Sequence, residues 1–235
     1  MSKSLFALIT LLAVSPSLTA QVGHTPERTP FRDLTARTNL VVQGGLLGGS
    51  GGRLGLGPSS GPLYGVRFET LLSGPSDGFF EVMLGRPERL IIDPTAAAAT
   101  RTTGPVSQSL VLVDAGLTIL LAGEKTWNGL APFVGASLGL AFGQVPAADT
   151  VSGFRFNGKL ATGPHLGFRY YATRTVSLRV EGRLLFWQLK YPSVYFQPPA
   201  QAPLDAPVLD VANDPDSEWT SHPVLNFGLG IAFRL

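Results

Sequence analysis

Pro223-Val-Leu-Asn-Phe-Gly-Leu-Gly-Ile-Ala-Phe-Arg-Leu235 stands last in the sequence. In it Leu225, Phe227, Leu229, Ile231, Phe233 and Leu235 alternate with Asn226, Gly228, Gly230, Ala232 and Arg234. Successive side chains of a strand point to opposite faces, so the stretch has one greasy face and one small or polar face that carries an arginine. A soluble sandwich buries such a greasy face; a membrane barrel turns it outward to lipid. The rest of the chain has to decide between them.

Seven further segments repeat the pattern at a length that crosses a bilayer when tilted. The eight run over approximately 38–47, 63–72, 78–86, 108–121, 130–142, 158–171, 175–189 and 220–235. In the second, Tyr64, Val66, Phe68 and Leu72 lie opposite Gly65, Arg67 and Glu69. In the seventh, Val176, Leu178, Val180, Leu184 and Phe186 alternate with Ser177, Arg179, Glu181 and Arg183. The sixth sets Leu166, Phe168 and Tyr170 against His165, Gly167 and Arg169, and Glu81 and Asp114 also have apolar neighbours on the opposite face. Charge confined to one face predicts a polar interior.

The connections supply independent evidence. Short turns surround 74–78, 123–129 and 172–174, whereas 48–62, 87–107, 143–157 and 190–219 are long. Short turns on one rim and long loops on the other are the pattern of a bacterial outer-membrane barrel, with the long loops outside. Residues 129–148 carry no charge, and Gly135, Gly139 and Gly143 have the spacing of a helix-packing face. Pro132 and the period-two alternation favour a strand there.

Composition agrees. Charged residues are 14% of 235, glycine is high at 28, and there is no cysteine for a disulfide or a lipidated N-terminus. Lys3, the apolar run Leu5–Val14 and the small-residue site ending at Ala20 read as a signal peptide over 1–20. A periplasmic leader is expected over 21–37 and the barrel domain over 38–235. Lys3 leaves with an acid-free signal, so the formal charge falls from +2 to +1. That balance excludes a nucleic-acid partner, which would call for a clustered basic surface.

With these features the chain resembles the small outer-membrane β-barrel proteins of the OmpA-type and OmpX-type class. The resemblance implies an all-β, eight-stranded, antiparallel up-and-down transmembrane barrel in the bacterial outer membrane. It implies outer-membrane lipids and the outer-membrane assembly machinery as partners, the latter reading Phe227, Leu229, Ile231, Phe233 and Leu235. Members of the class often end in phenylalanine, and here Leu235 is last. No peptidoglycan-binding domain is expected, and the chain is expected to act as a monomer.

Eight strands leave a lumen that side chains just fill. Arg67, Glu69, Glu81, Asp114, Arg169, Arg179, Glu181, Arg183 and Arg234 are therefore expected to form an interior ion-pair network, because a buried unpaired charge is costly. Trp127 and Tyr170 are assigned to the inner interfacial girdle, Trp187 and Tyr191 to the outer. The loop 191–219 holds six prolines, five acids and no Lys or Arg, a composition that favours a solvated, extended segment. Its acids lack EF-hand spacing, and the glycines of 44–61 lack a phosphate-binding lysine and read as strand end and flexible loop. His24, His165 and His222 form no metal motif. No catalytic, cofactor or metal site is expected, and the role falls to the long loops with an extracellular ligand as candidate partner. The alternatives are a narrow channel, a lipid-modifying enzyme built on His165 and a serine, or a soluble lipocalin-like binder with Phe227, Leu229 and Ile231 facing a cavity.

Overall fold

The structure, a computed structural model, describes residues 29–34 and 37–233. Its strands are β1 (Phe31–Asp33), β2 (Thr38–Leu47), β3 (Gly61–Ser73), β4 (Ser76–Gly85), β5 (Glu88–Ile92) and β6 (Thr102–Ser107). They continue with β7 (Leu110–Leu120), β8 (Lys125–Trp127), β9 (Leu130–Gly143), β10 (Asn157–Tyr171), β11 (Val176–Lys190) and β12 (Ser217–Phe233). The eight long strands β2, β3, β4, β7, β9, β10, β11 and β12 pair antiparallel in that order. β12 returns to β2 from Val224↔Leu47 to Phe233↔Thr38, closing the sheet into a barrel. Closure gives each of these eight strands two partners, the condition a sheet must meet where no water can bond its backbone.

Alternation fixes what each wall presents. Tyr64, Val66 and Phe68 of β3, Leu178 and Leu184 of β11, and Leu225, Phe227, Leu229 and Ile231 of β12 are exposed on the outside. Arg67, Glu69, Arg179, Glu181, Arg183 and Asn226 on the same strands are buried inside. Covering one Leu or Phe is worth about 1.5–3 kcal/mol. Left to water, this belt would forfeit more than the whole net stability of a domain, about 5–15 kcal/mol. Its solvent is lipid, and the architecture is that of an outer-membrane barrel. The lipocalin-like alternative is overturned by the same alternation, since it needs Phe227, Leu229 and Ile231 inside.

The stretch that offered helix spacing is strand β9. A spacing of four is even, so Gly135, Gly139 and Gly143 share one strand face, the lumenal one. A Cβ at Gly135 would lie 2.5 Å from His165 Nε2, and one at Gly139 would lie 2.3 Å from the Asp114 side chain. The glycines make room for side chains crossing the lumen.

Within the segment expected as a leader, Phe31–Asp33 pairs with β8 at the short-turn rim. Two of the girdle assignments need correction. Trp187 is fully buried and Tyr191 nearly so, so neither belongs to the outer girdle. The reason is parity, because Trp187 shares its face with Arg179, Glu181 and Arg183. Trp219, 60% exposed, and Tyr64 occupy the outer interface instead, while Trp127 and Tyr170 are exposed near the short-turn rim as expected. Arg234 and Leu235, like the expected signal peptide, lie outside the described residues.

The three tryptophans report these placements separately. In single-tryptophan variants folded in bilayers, brominated lipids are expected to quench Trp219 and Trp127 and to leave Trp187 unquenched; equal quenching of all three would refute the inward orientation of β11.

Candidate functional site

The lumen has two layers, beginning with a buried ion network nearer the short-turn rim. Arg67 on β3 lies 3.0 Å from Glu69, 3.1 Å from Glu81 and 2.9 Å from Glu181. Arg179 meets Glu69 at 2.7 Å and Glu181 at 2.5 Å. Arg183 meets Glu81, Asp114 and Glu181, each at 3.0 Å. Arg169 reaches Glu69 at 2.8 Å and Asp77 at 3.1 Å. Glu181 thus touches three guanidiniums contributed by β3 and β11.

Aromatic rings line the arginines: the Arg67 guanidinium lies 3.5 Å from the Phe79 ring centre and that of Arg179 lies 4.0 Å from Phe133. Gln43 Nε2 donates to Glu81 at 2.6 Å. The sequence reading brought together eight of these charges but left out Asp77, Gln43, Phe79 and Phe133. The signal was available in part, because Asp77 and Phe79 share the parity of Glu81. His165 sits beside Phe79 and Phe133 with its Nε2 3.0 Å from Thr118 Oγ1, so a threonine stands where the enzyme alternative needs a serine. Among the described residues no cluster of His, Asp and Glu is arranged to hold a metal ion.

Above the network the lumen turns apolar and is stoppered by its own loops. Leu56 (loop β2–β3), Ile92 (β5), Phe154 and Phe156 (loop β9–β10), and Tyr195 and Leu209 (loop β11–β12) join Trp187, Leu185 and Leu189 of β11 in one buried cluster. All four long connections contribute, so the expected solvated loop 191–219 and flexible loop within 44–61 are in fact packed at Tyr195, Leu209 and Leu56. Proline and acid composition hid this because a few large apolar side chains set the packing, while Asp205, Asp214 and Glu218 are half-buried and bonded to neighbouring segments of the cap.

Polar bonds tie the loops together. Buried Arg89 pairs with Asp149, and Arg53 pairs with Asp214. Leu90 N donates to Gly55 O at 2.7 Å, Gln201 N to Thr95 O at 3.0 Å and Ala98 N to Asp205 Oδ2 at 2.9 Å. Tyr195 Oη donates to Ile92 O at 3.3 Å, and burial pushes its phenol up to about 12, so it stays a neutral donor.

No family model matches the chain, and no curated protein does so either. Among solved structures, neisserial surface protein A aligns at TM-score 0.48 and 15% identity, covering 87% of this chain and 98% of that one. The outer membrane protein OprG of Pseudomonas aeruginosa aligns at 0.48 and 10%, covering 88% and 100%. The attachment invasion locus protein Ail of Yersinia pestis aligns at 0.39 and 9%, covering 84% and 99%.

Breaking a buried pair by removing one partner costs about 3–5 kcal/mol. Glu181→Ala is therefore expected to lower stability by about that amount in urea titrations of the lipid-folded protein, while Glu124→Ala on the exposed turn shifts it by less than about 0.5 kcal/mol. Equal, small effects would show that the network is dispensable.

Proposed function

We propose that this chain is a non-conducting outer-membrane barrel whose work is done at its outer surface, by a rigid cap of mutually packed loops. The observation that carries the reading is that all four long connections place buried side chains in a single cluster over the lumen. Loops that only linked strands would have no reason to bury Leu56, Phe154, Tyr195 and Leu209 together. Holding loops in one conformation lowers the ordering cost of recognition, because that entropy is lost on folding rather than on binding.

The lumen argues against transport. Its arginines and carboxyls are spent on one another, with four guanidiniums facing five carboxyls among the described residues. An anion pore would require a ring of unmatched positive charge, and a cation pore would require free carboxylates along a wet path. The enzyme alternative gains no geometry from His165 or His222. His222 stacks on Trp187 at 4.1 Å, and its Nε2 lies 2.9 Å from Thr220 Oγ1.

Planar-bilayer recording tests the reading. Wild type is expected to give no conductance steps, and Arg89→Ala, which unhooks the cap from Asp149, is expected to speed amide exchange at Leu90 and Leu209 without opening a conductance. Steady steps in wild type that vanish in Arg179→Gln would replace the surface reading with a channel.

A further inference from the structure

One depression on the long-loop rim, of about 670 Å³, collects Arg155, Lys159 and Lys190 around Asn157, Ser193 and Phe196. None of the three cations has an ion pair or a side-chain hydrogen bond among the described residues, and Asp216 is the one acid in the lining. Arg53 and Arg89 of the cap, by contrast, each have a carboxylate partner, and Arg101 donates to Ala206 O.

The cations are held in place. Arg155 is exposed between buried Phe154 and Phe156, and Lys190 between buried Leu189 and Tyr191. Three like charges gathered around a single carboxylate, Asp216, repel one another by Coulomb's law, and a bound anion would relieve the excess.

The height of the site identifies the anion's source. Lys190 follows Gln188 by two residues on the outward face of β11, and Gln188 is paired with the interfacial Trp219. Two residues of strand rise about 7 Å, which carries Lys190 from the aromatic girdle into the headgroup layer. Leu160 of the adjoining strand β10 faces outward as Lys190 does and is 53% exposed, an apolar wall on the lipid side of this rim, while Lys159, one residue earlier, starts from the lumenal face and reaches the depression at its edge. An outward Lys190 beside an exposed leucine, with Arg155 and Lys159 lining the same depression, matches an amphiphile with phosphate at its head and acyl chain at its base.

We propose that Arg155, Lys159 and Lys190 bind the phosphate of a phosphorylated lipid headgroup in the outer leaflet. The inference rests on the outer-membrane reading, because only that orientation sets this rim in the headgroup layer.

The test uses the full chain folded in phosphatidylcholine nanodiscs doped with bisphosphorylated lipid A or with its dephosphorylated form. Co-purified glycolipid is read by mass spectrometry. Wild type is expected to retain the phosphorylated form preferentially, with about a fivefold loss in Lys190→Gln and a larger loss in the triple change of Arg155, Lys159 and Lys190 to Gln. Lys125→Gln, on the opposite rim, is expected to behave as wild type.

A boiled-versus-unboiled gel on each sample reports folding. Should the triple variant fail to fold, Lys190→Gln decides. Equal retention of both glycolipids, or unchanged retention in a folded Lys190→Gln, overturns the assignment. So does full competition by millimolar inorganic phosphate, which would make the site one for free phosphate. Failure of wild type itself to fold in the nanodisc would count against the membrane reading, a result distinct from those.

Discussion

A peptide group in hydrocarbon has no water to bond, and leaving one unpaired costs several kcal/mol. That constraint organises the molecule. It requires the sheet to close, which the pairing of β12 with β2 achieves. Closure makes every spanning strand two-sided, one face to lipid and one to a narrow lumen, so the side-chain period of two becomes a division between solvents. The lumenal arginines and the outward leucines are consequences of the same ladder.

An eight-stranded lumen is too narrow for much water, so charges placed there must satisfy each other. Glu181, shared by Arg67, Arg179 and Arg183, shows how this is done with few residues: two charges of one strand bracket a third, and β3, three strands round the barrel, supplies the cross-link. The glycines of β9 are the necessary complement, because His165 and Asp114 project into space that a side chain at Gly135 or Gly139 would fill. Towards the long-loop rim the lumen is filled by apolar residues from the loops, packed around the buried pair of Arg89 and Asp149. The two layers fill the barrel by different physics, and that filling is the ground for the proposal that its work is done at the outer surface.

The barrel was legible in the sequence because alternation is local. A run such as Val176 to Arg183 shows its two faces without knowledge of its neighbours, and the ends of the eight strands depart from the sequence reading by at most three residues where described. Parity also held the information that Trp187 faces inward, but its aromatic character suggested an interface. The cap was not legible. It joins residues far apart in the chain, with Leu56 and Leu209 in one cluster and Arg89 paired with Asp149, and nothing near Asp149 marks it as the partner of a buried arginine. The hairpin of β5 and β6 was likewise invisible, since Leu90-Ile91-Ile92 is a short apolar run without alternation and packs against loops rather than lipid.

The central claim is that lipid lies outside this barrel and charge lies within. The chain has no cysteine, so single cysteines at positions 225–231 can each carry a spin label for oxygen and water-soluble nickel accessibility in bilayers. Oxygen accessibility is expected to peak at Leu225, Phe227, Leu229 and Ile231 and to fall at Asn226, Gly228 and Gly230. The opposite phase, or no period of two, would contradict the orientation on which the membrane assignment rests.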